Sequence, residues 1–148
     1  MTASVFTNSQ RELMTHVLDR IIPAAEGFPG AGELGVADYV DGIVAASRDM
    51  KTRFNRGLAV VELGSGGAFG ELSDAKKDAV LKAVEADDPD FFDELVQQTY
   101  NGYYTSRKTL ENLGVEARPP QPLGYDVGAG DLSLLDRVKE RGQLYRDA

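Results

Sequence analysis

The sequence predicts an all-α fold, a small helical domain of about five to six helices with long irregular Pro/Gly-rich loops and an extended C-terminal segment. Three observations point there. Apolar residues recur at helical spacing through most of positions 1–114. Glycine and proline gather between those runs rather than inside them. No two alternating segments read as a strand pair, and no internal repeat is present.

The first helix is marked by Leu13, Met14, Val17, Leu18, Ile21 and Ile22, which share one face. Thr7 and Gln10 have the spacing of a capping box at its start, and Pro23 stops it. From Pro23 to Gly35 the stretch PAAEGFPGAGELG carries two prolines and four glycines, a composition no regular element accepts, so it is a loop. Val36, Val40, Ile43 and Val44 form the stripe of a second helix. After a break near Ser47–Asp49, Met50, Phe54, Leu58 and Val61 form that of a third. GSGG at 64–67 ends it, because glycines are costly to order inside a helix.

Ser73 is the expected N-cap of a fourth helix that presents Val80, Leu81 and Val84. Asp88 then caps a fifth, with Pro89 in its first turn. That helix carries Phe91, Phe92, Leu95, Val96, Thr99, Tyr100 and Tyr103; Phe91 meets Leu95 and Phe92 meets Val96 one turn on, and Gly102 is expected to end it. Beyond Gly114, VEARPPQPLGYDVGAGD holds three prolines and three glycines and is expected to be extended, with no core of its own. A weakly amphipathic helix from about Leu132 to Tyr145 follows. Residues 1–114 therefore read as the helical domain, and 115–148 as an extended segment with a terminal helix that is not a separate domain and either wraps these helices or, as the preferred reading, wraps a partner.

The chain has 148 residues, 42% hydrophobic and 27% charged, within the range of ordinary globular proteins. Its apolar runs fall far short of the roughly 20 residues needed to span a bilayer, so no transmembrane segment is expected. MTASVFTNSQRELM has no basic start, apolar stretch or twin arginine. As written it implies a cytoplasmic protein, or a periplasmic one if a leader was trimmed. With no cysteine, disulfides, thiolate nucleophiles and thiolate metal sites are excluded. A net charge of −8 argues against a nucleic-acid binder, which needs clustered Lys and Arg to neutralise phosphates. From Glu71 to Glu94, nine acidic residues face three lysines. A solvated helix face is the plain reading of that excess, and a docking face for a basic partner is the other.

No catalytic, cofactor-binding or metal-binding residue is assigned. The single histidine, His16, lies beside the first helix's apolar stripe and is expected to face solvent or to cap, and a triad would rest on it alone. Asp87, Asp88 and Asp90 lack the glycine turn and terminal glutamate of a calcium loop. GSGGAFG, 64–70, follows a helix and lacks the Lys and Ser/Thr of a phosphate loop. No carboxylate stands in an apolar setting that would raise its pKa for acid–base work.

What does stand out is TYNGYYTSR and the proline-rich strip after it. Tyrosines with an apolar body and polar tip, next to arginine, are enriched at protein interfaces. Tyr100, Tyr103, Tyr104, Arg107, Pro119, Pro120, Pro122 and Tyr125 are therefore the candidate partner surface, whereas Phe91, Phe92, Leu95 and Val96 read as core.

Four stretches together resemble a known family. They are LDRIIPAAEGFPGAGELGVADYVD from Leu18, GLAVVEL from Gly57, FGELSDAKKDAVL from Phe69 and FFDELVQQTYNGYYTSR from Phe91. In that order and spacing they are similar to the gluconate 2-dehydrogenase subunit 3 family, the small subunits of FAD-dependent dehydrogenase complexes. The resemblance implies a helical, non-catalytic subunit that binds and stabilises a large flavoprotein of the glucose-methanol-choline oxidoreductase type. The large chain would hold FAD and oxidise a hydroxyl of a sugar, sugar acid, glycoside or polyol. Two departures accompany it: the twin-arginine leader of many relatives is not in this sequence, and KTLENLGVEARPPQPLGY stands where relatives carry a turn rich in glycine and asparagine. Two other readings compete, an acidic helical adaptor for a basic partner and a stand-alone enzyme using carboxylates and tyrosines.

Overall fold

The computed structural model describes residues 4–115 and 130–142. The chain divides into two compact units, Met1–Ala117 and Arg118–Ala148. The first holds α1 (Asn8–Ile21), α2 (Val36–Ala45), α3 (Arg48–Gly64), α4 (Asp74–Asp87), α5 (Pro89–Thr105) and α6 (Arg107–Asn112), with a 3₁₀ turn at Phe69–Glu71. In the second, a 3₁₀ turn at Leu132–Leu135 leads into α7 (Asp136–Glu140). The only pairing of extended backbone among the described residues is an isolated bridge between Ala25 and Phe28. The fold is all-α, as the sequence predicts.

Local chemistry sets most of the helix ends. Thr7 and Gln10 close the capping box on α1, each satisfying an amide that the first turn leaves without a partner. Ser47 caps α3 through the Met50 amide, and Asp88 caps α5 through that of Phe91, with Pro89 in the first turn. Ser73 occupies the cap position of α4 but makes no side-chain capping bond.

α5 packs against each of the other five helices of its unit. Phe91 and Leu95 are fully buried on it, beside Met14, Val17 and Leu18 of α1, Val40 and Val44 of α2, and Phe54, Leu58 and Val61 of α3. The rings of Phe6, Phe54 and Phe91 run through this core, with centroids 6.3 Å apart for the first pair and 5.4 Å, edge to face, for the second. A Cβ at Gly57 would come within 2.5 Å of the Phe91 ring. Glycine at that position lets the ring lie directly on α3.

Two expectations need correction. α5 does not end at Gly102 but continues to Thr105. There a Cβ would come within 2.7 Å of the Tyr39 ring and 2.8 Å of Val36, so the glycine is required by the close approach of α2 and not by a helix end. The stretch after Thr105 forms a further short helix, α6. The last described helix stops at Glu140, with Gly142 at φ 67°, rather than running on toward Tyr145. Positions 143–148 lie outside the described residues.

The sequence also concealed how the N-terminal arm is held. Asp41, 6% exposed, accepts the amides of Val5 at 2.9 Å and Phe6 at 3.3 Å and lies 3.5 Å from Arg11. A carboxylate placed in a core helix needs such partners to offset its lost hydration, and in supplying them the arm seats Phe6 on Phe54.

Candidate partner interface

The sequence-predicted surface maps onto the C-terminal end of α5, where its three tyrosines separate by helical position. Tyr100 and Tyr104, one turn apart, stack with centroids at 6.0 Å and planes 13° from parallel. They are 45% and 49% exposed. Tyr103 points the other way and is 3% exposed, so the structure places it in the core. Its ring meets Tyr104 edge on at 5.3 Å, and its hydroxyl donates to the Pro29 carbonyl at 2.9 Å. Burial, with Tyr104 adjacent, raises the Tyr103 phenol above its ordinary 10.0, because a phenolate there would lose its water.

Arg107 opens α6 on the surface, and its Nε donates to Glu111 at 2.8 Å, one turn on. That hydrogen bond, followed by the charge of Glu111, raises the guanidinium above its ordinary value. Ser106 caps α6 by accepting the Thr109 amide at 3.2 Å, and Asn112 near its end donates to the Gly27 carbonyl at 3.2 Å. Ser106 was the available sequence signal for this helix. With only six residues and one buried side chain, Thr109, α6 has no apolar stripe to announce it. Pro119, Pro120, Pro122 and Tyr125 lie outside the described residues.

The remaining chemical candidates resolve into structural parts. His16, expected to face solvent or to cap, is half-buried with its ring over Gly70. It lines a cleft of about 390 Å³ with Ser9, Glu12, Glu62, Ser65 and Glu71, and among the described residues no hydroxyl or carboxylate hydrogen-bonds to it. Asp88 accepts from Arg56 at 2.5 Å and from the Phe91 amide at 3.2 Å. Those two bonds, Arg56 first, hold its carboxyl below the ordinary 3.8. In the acidic stretch, Asp74 and Asp78 take the guanidinium of Arg20 on α1, at 3.2 and 2.7 Å. Three of its nine acids therefore tie helices together. GSGGAFG runs from the end of α3 into a 3₁₀ turn with no strand before it, so it lacks the strand–turn–helix frame in which a dinucleotide pyrophosphate is bound. Among the described residues there is no group of side chains arranged to hold a metal ion and no helix long and apolar enough to cross a membrane.

These features describe a small helical protein whose conspicuous surface chemistry is aromatic and sits at one helix end. The chain belongs to the gluconate 2-dehydrogenase subunit 3 family, whose model matches residues 8–119. The family is one of dehydrogenase-complex subunits, and the match covers all six helices of the first unit. Neither the curated proteins nor the solved structures compared with the chain gave a match.

Proposed function

We propose that this chain is the non-catalytic small subunit of a heteromeric dehydrogenase and stabilises a large FAD-binding subunit of the glucose-methanol-choline type. The complex would oxidise a hydroxyl of a sugar, sugar acid, glycoside or polyol. Beyond family membership, the observation that carries this reading is the Tyr100–Tyr104 pair. Two parallel rings, each about half in water, lie on a helix whose other faces are occupied by packing, so they present a rigid apolar platform. Aromatic rings need little ordering on binding, which makes them effective anchors. Tyr100, Tyr104 and the exposed Arg107 form the contact in this proposal, with Pro119, Pro120, Pro122 and Tyr125 extending it.

FAD belongs to the large subunit in this reading, consistent with GSGGAFG following a helix and not a strand. Co-expression with the flavoprotein subunit, followed by size exclusion monitored at the flavin absorbance, tests it. The two chains are expected to elute together and to stay together in ~0.5 M salt, since an aromatic and apolar contact is little screened. Elution of a fully active, equally soluble flavoprotein without this chain would overturn the proposal.

A further inference from the structure

We infer that the outer face of α3 and α4 is a contact surface for a second copy of this chain, which lies across a two-fold axis with its α4 antiparallel to the first. Between the two helices runs an apolar hollow of about 440 Å³, lined by Val60, Gly64, Ala79, Val80, Ala83 and Val84. Leu63, one turn on from Val60, is 83% exposed, the highest value for a large apolar side chain among the described residues. An exposed leucine alone is ordinary. Set beside the hollow, it extends one contiguous apolar face, and such faces mark contact sites. The face shares no residue with the tyrosine platform of α5, so it requires an occupant of its own.

Charge decides which occupant fits. Along α4, Lys76, Val80, Ala83 and Asp87 are spaced four, three and four apart, so they fall on one line down the helix. The lysine and the aspartate stand at opposite ends of that line, and both are exposed. Among the described residues neither enters an ion pair; the pairs made nearby join Asp74 and Asp78 to Arg20, and Asp88 to Arg56. A two-fold axis crossing α4 midway between Leu81 and Lys82 brings each Lys76 onto the Asp87 of the other copy, and each Val80 onto the other Ala83. One patch then supplies both halves of the contact, as an isologous interface requires. α3 follows in register. Its Arg56 meets Asp88 and its Gly64 lies against Val80, so it runs antiparallel to α4 and carries Leu63 close to the axis, where the two leucines close over the paired hollows. The two crossed ion pairs offset, at the contact, the repulsion between chains of net charge −8. A basic partner, by contrast, would set a cation against Lys76.

Sedimentation velocity of the full chain over a concentration series tests this. The wild-type chain is expected to pass from monomer to dimer, and Leu63→Glu to weaken the dimer by roughly tenfold or more. Lys76→Glu and Asp87→Lys, each alone, set like charges together twice and are expected to weaken it several-fold, whereas an equimolar mixture of the two variants restores both pairs and recovers dimer. All three substitutions are at exposed helical positions, so circular dichroism and Tm should stay close to wild type. A wild-type chain still monomeric at about 1 mM overturns the inference, as does a dimer that none of the three substitutions weakens. Failure of the mixture to recover rejects the antiparallel two-fold arrangement and the inference with it. If Leu63→Glu leaves self-association unchanged but abolishes co-elution with the flavoprotein, the face belongs to the large subunit, and the inference falls while the subunit reading stands.

Discussion

The two ends of α5 are built from the same residue class and do opposite things. At its start, Phe91 is fully buried between Gly57 and Phe54. At its end, Tyr100 and Tyr104 stack on each other and keep nearly half their surface in water. The difference lies in what neighbouring helices leave uncovered. α3 meets the first half of α5 through a glycine, while among the described residues no helix lies against the outer face of the last turn. Tyr103, between them in sequence, faces inward and joins the core to the loop. Aromatic content alone therefore says nothing about role in this helix, whereas angular position around its axis decides it.

Substitutions along α5 should separate the two ends. Phe91→Ala is expected to have the largest effect, a loss of about 3–5 kcal/mol from the cavity it leaves, measured by urea unfolding of the isolated chain. A loss below about 1 kcal/mol would mean the aromatic seam is not the core. Gly102→Ala comes next, at about 1–3 kcal/mol, because the new methyl must displace Tyr39 or Val36; thermal unfolding reads it directly. Tyr103→Phe should cost about 1 kcal/mol for the lost bond to Pro29. It also predicts alkaline behaviour. A phenol whose folded pKa is raised stabilises the fold below its unfolded value of 10.0 and loses that contribution as pH rises through the folded value. The wild-type chain should therefore lose stability above pH 10 more steeply than Tyr103→Phe does.

A smaller effect is expected at the cap. Asp88 has a depressed folded pKa, so its contribution is present above the ordinary 3.8 and disappears as pH falls from there through the folded value. Asp88→Asn keeps a capping side chain but removes the charge that Arg56 binds. Its deficit against wild type should be visible at neutral pH and vanish in acid, as followed by circular dichroism. Last, Tyr104→Ala should change stability by no more than about 0.5 kcal/mol, as for an exposed site, while abolishing co-elution with the flavoprotein. A large stability loss there would erase the contrast between the two ends.

Helix caps and stripes were legible because they are local. Thr7 with Gln10 and Asp88 with Pro89 act within one turn, so their spacing in the chain is their spacing in space. The Tyr100–Tyr104 pair was not, since it needs α5 to run on past Gly102, where the helix was expected to end. Other features were not, because their partners are distant in sequence. Nothing near Asp41 announces that it will receive the amides of Val5 and Phe6, and nothing near Asn112 points to Gly27. Gly102 looked like a helix end because glycine disfavours helices, and the opposing consideration, Tyr39 and Val36 against its Cα, exists only once α2 and α5 pack.

By itself, then, the order of residues determined an all-α protein and most of its helix boundaries. Those follow from forces acting between residues a few positions apart. Tertiary structure decided which tyrosine is buried, why glycine stands at 57 and 102, and how a proline- and glycine-rich loop becomes a rigid exposed turn. Each of those outcomes depends on hydrogen bonds and steric contacts between segments that only folding brings together.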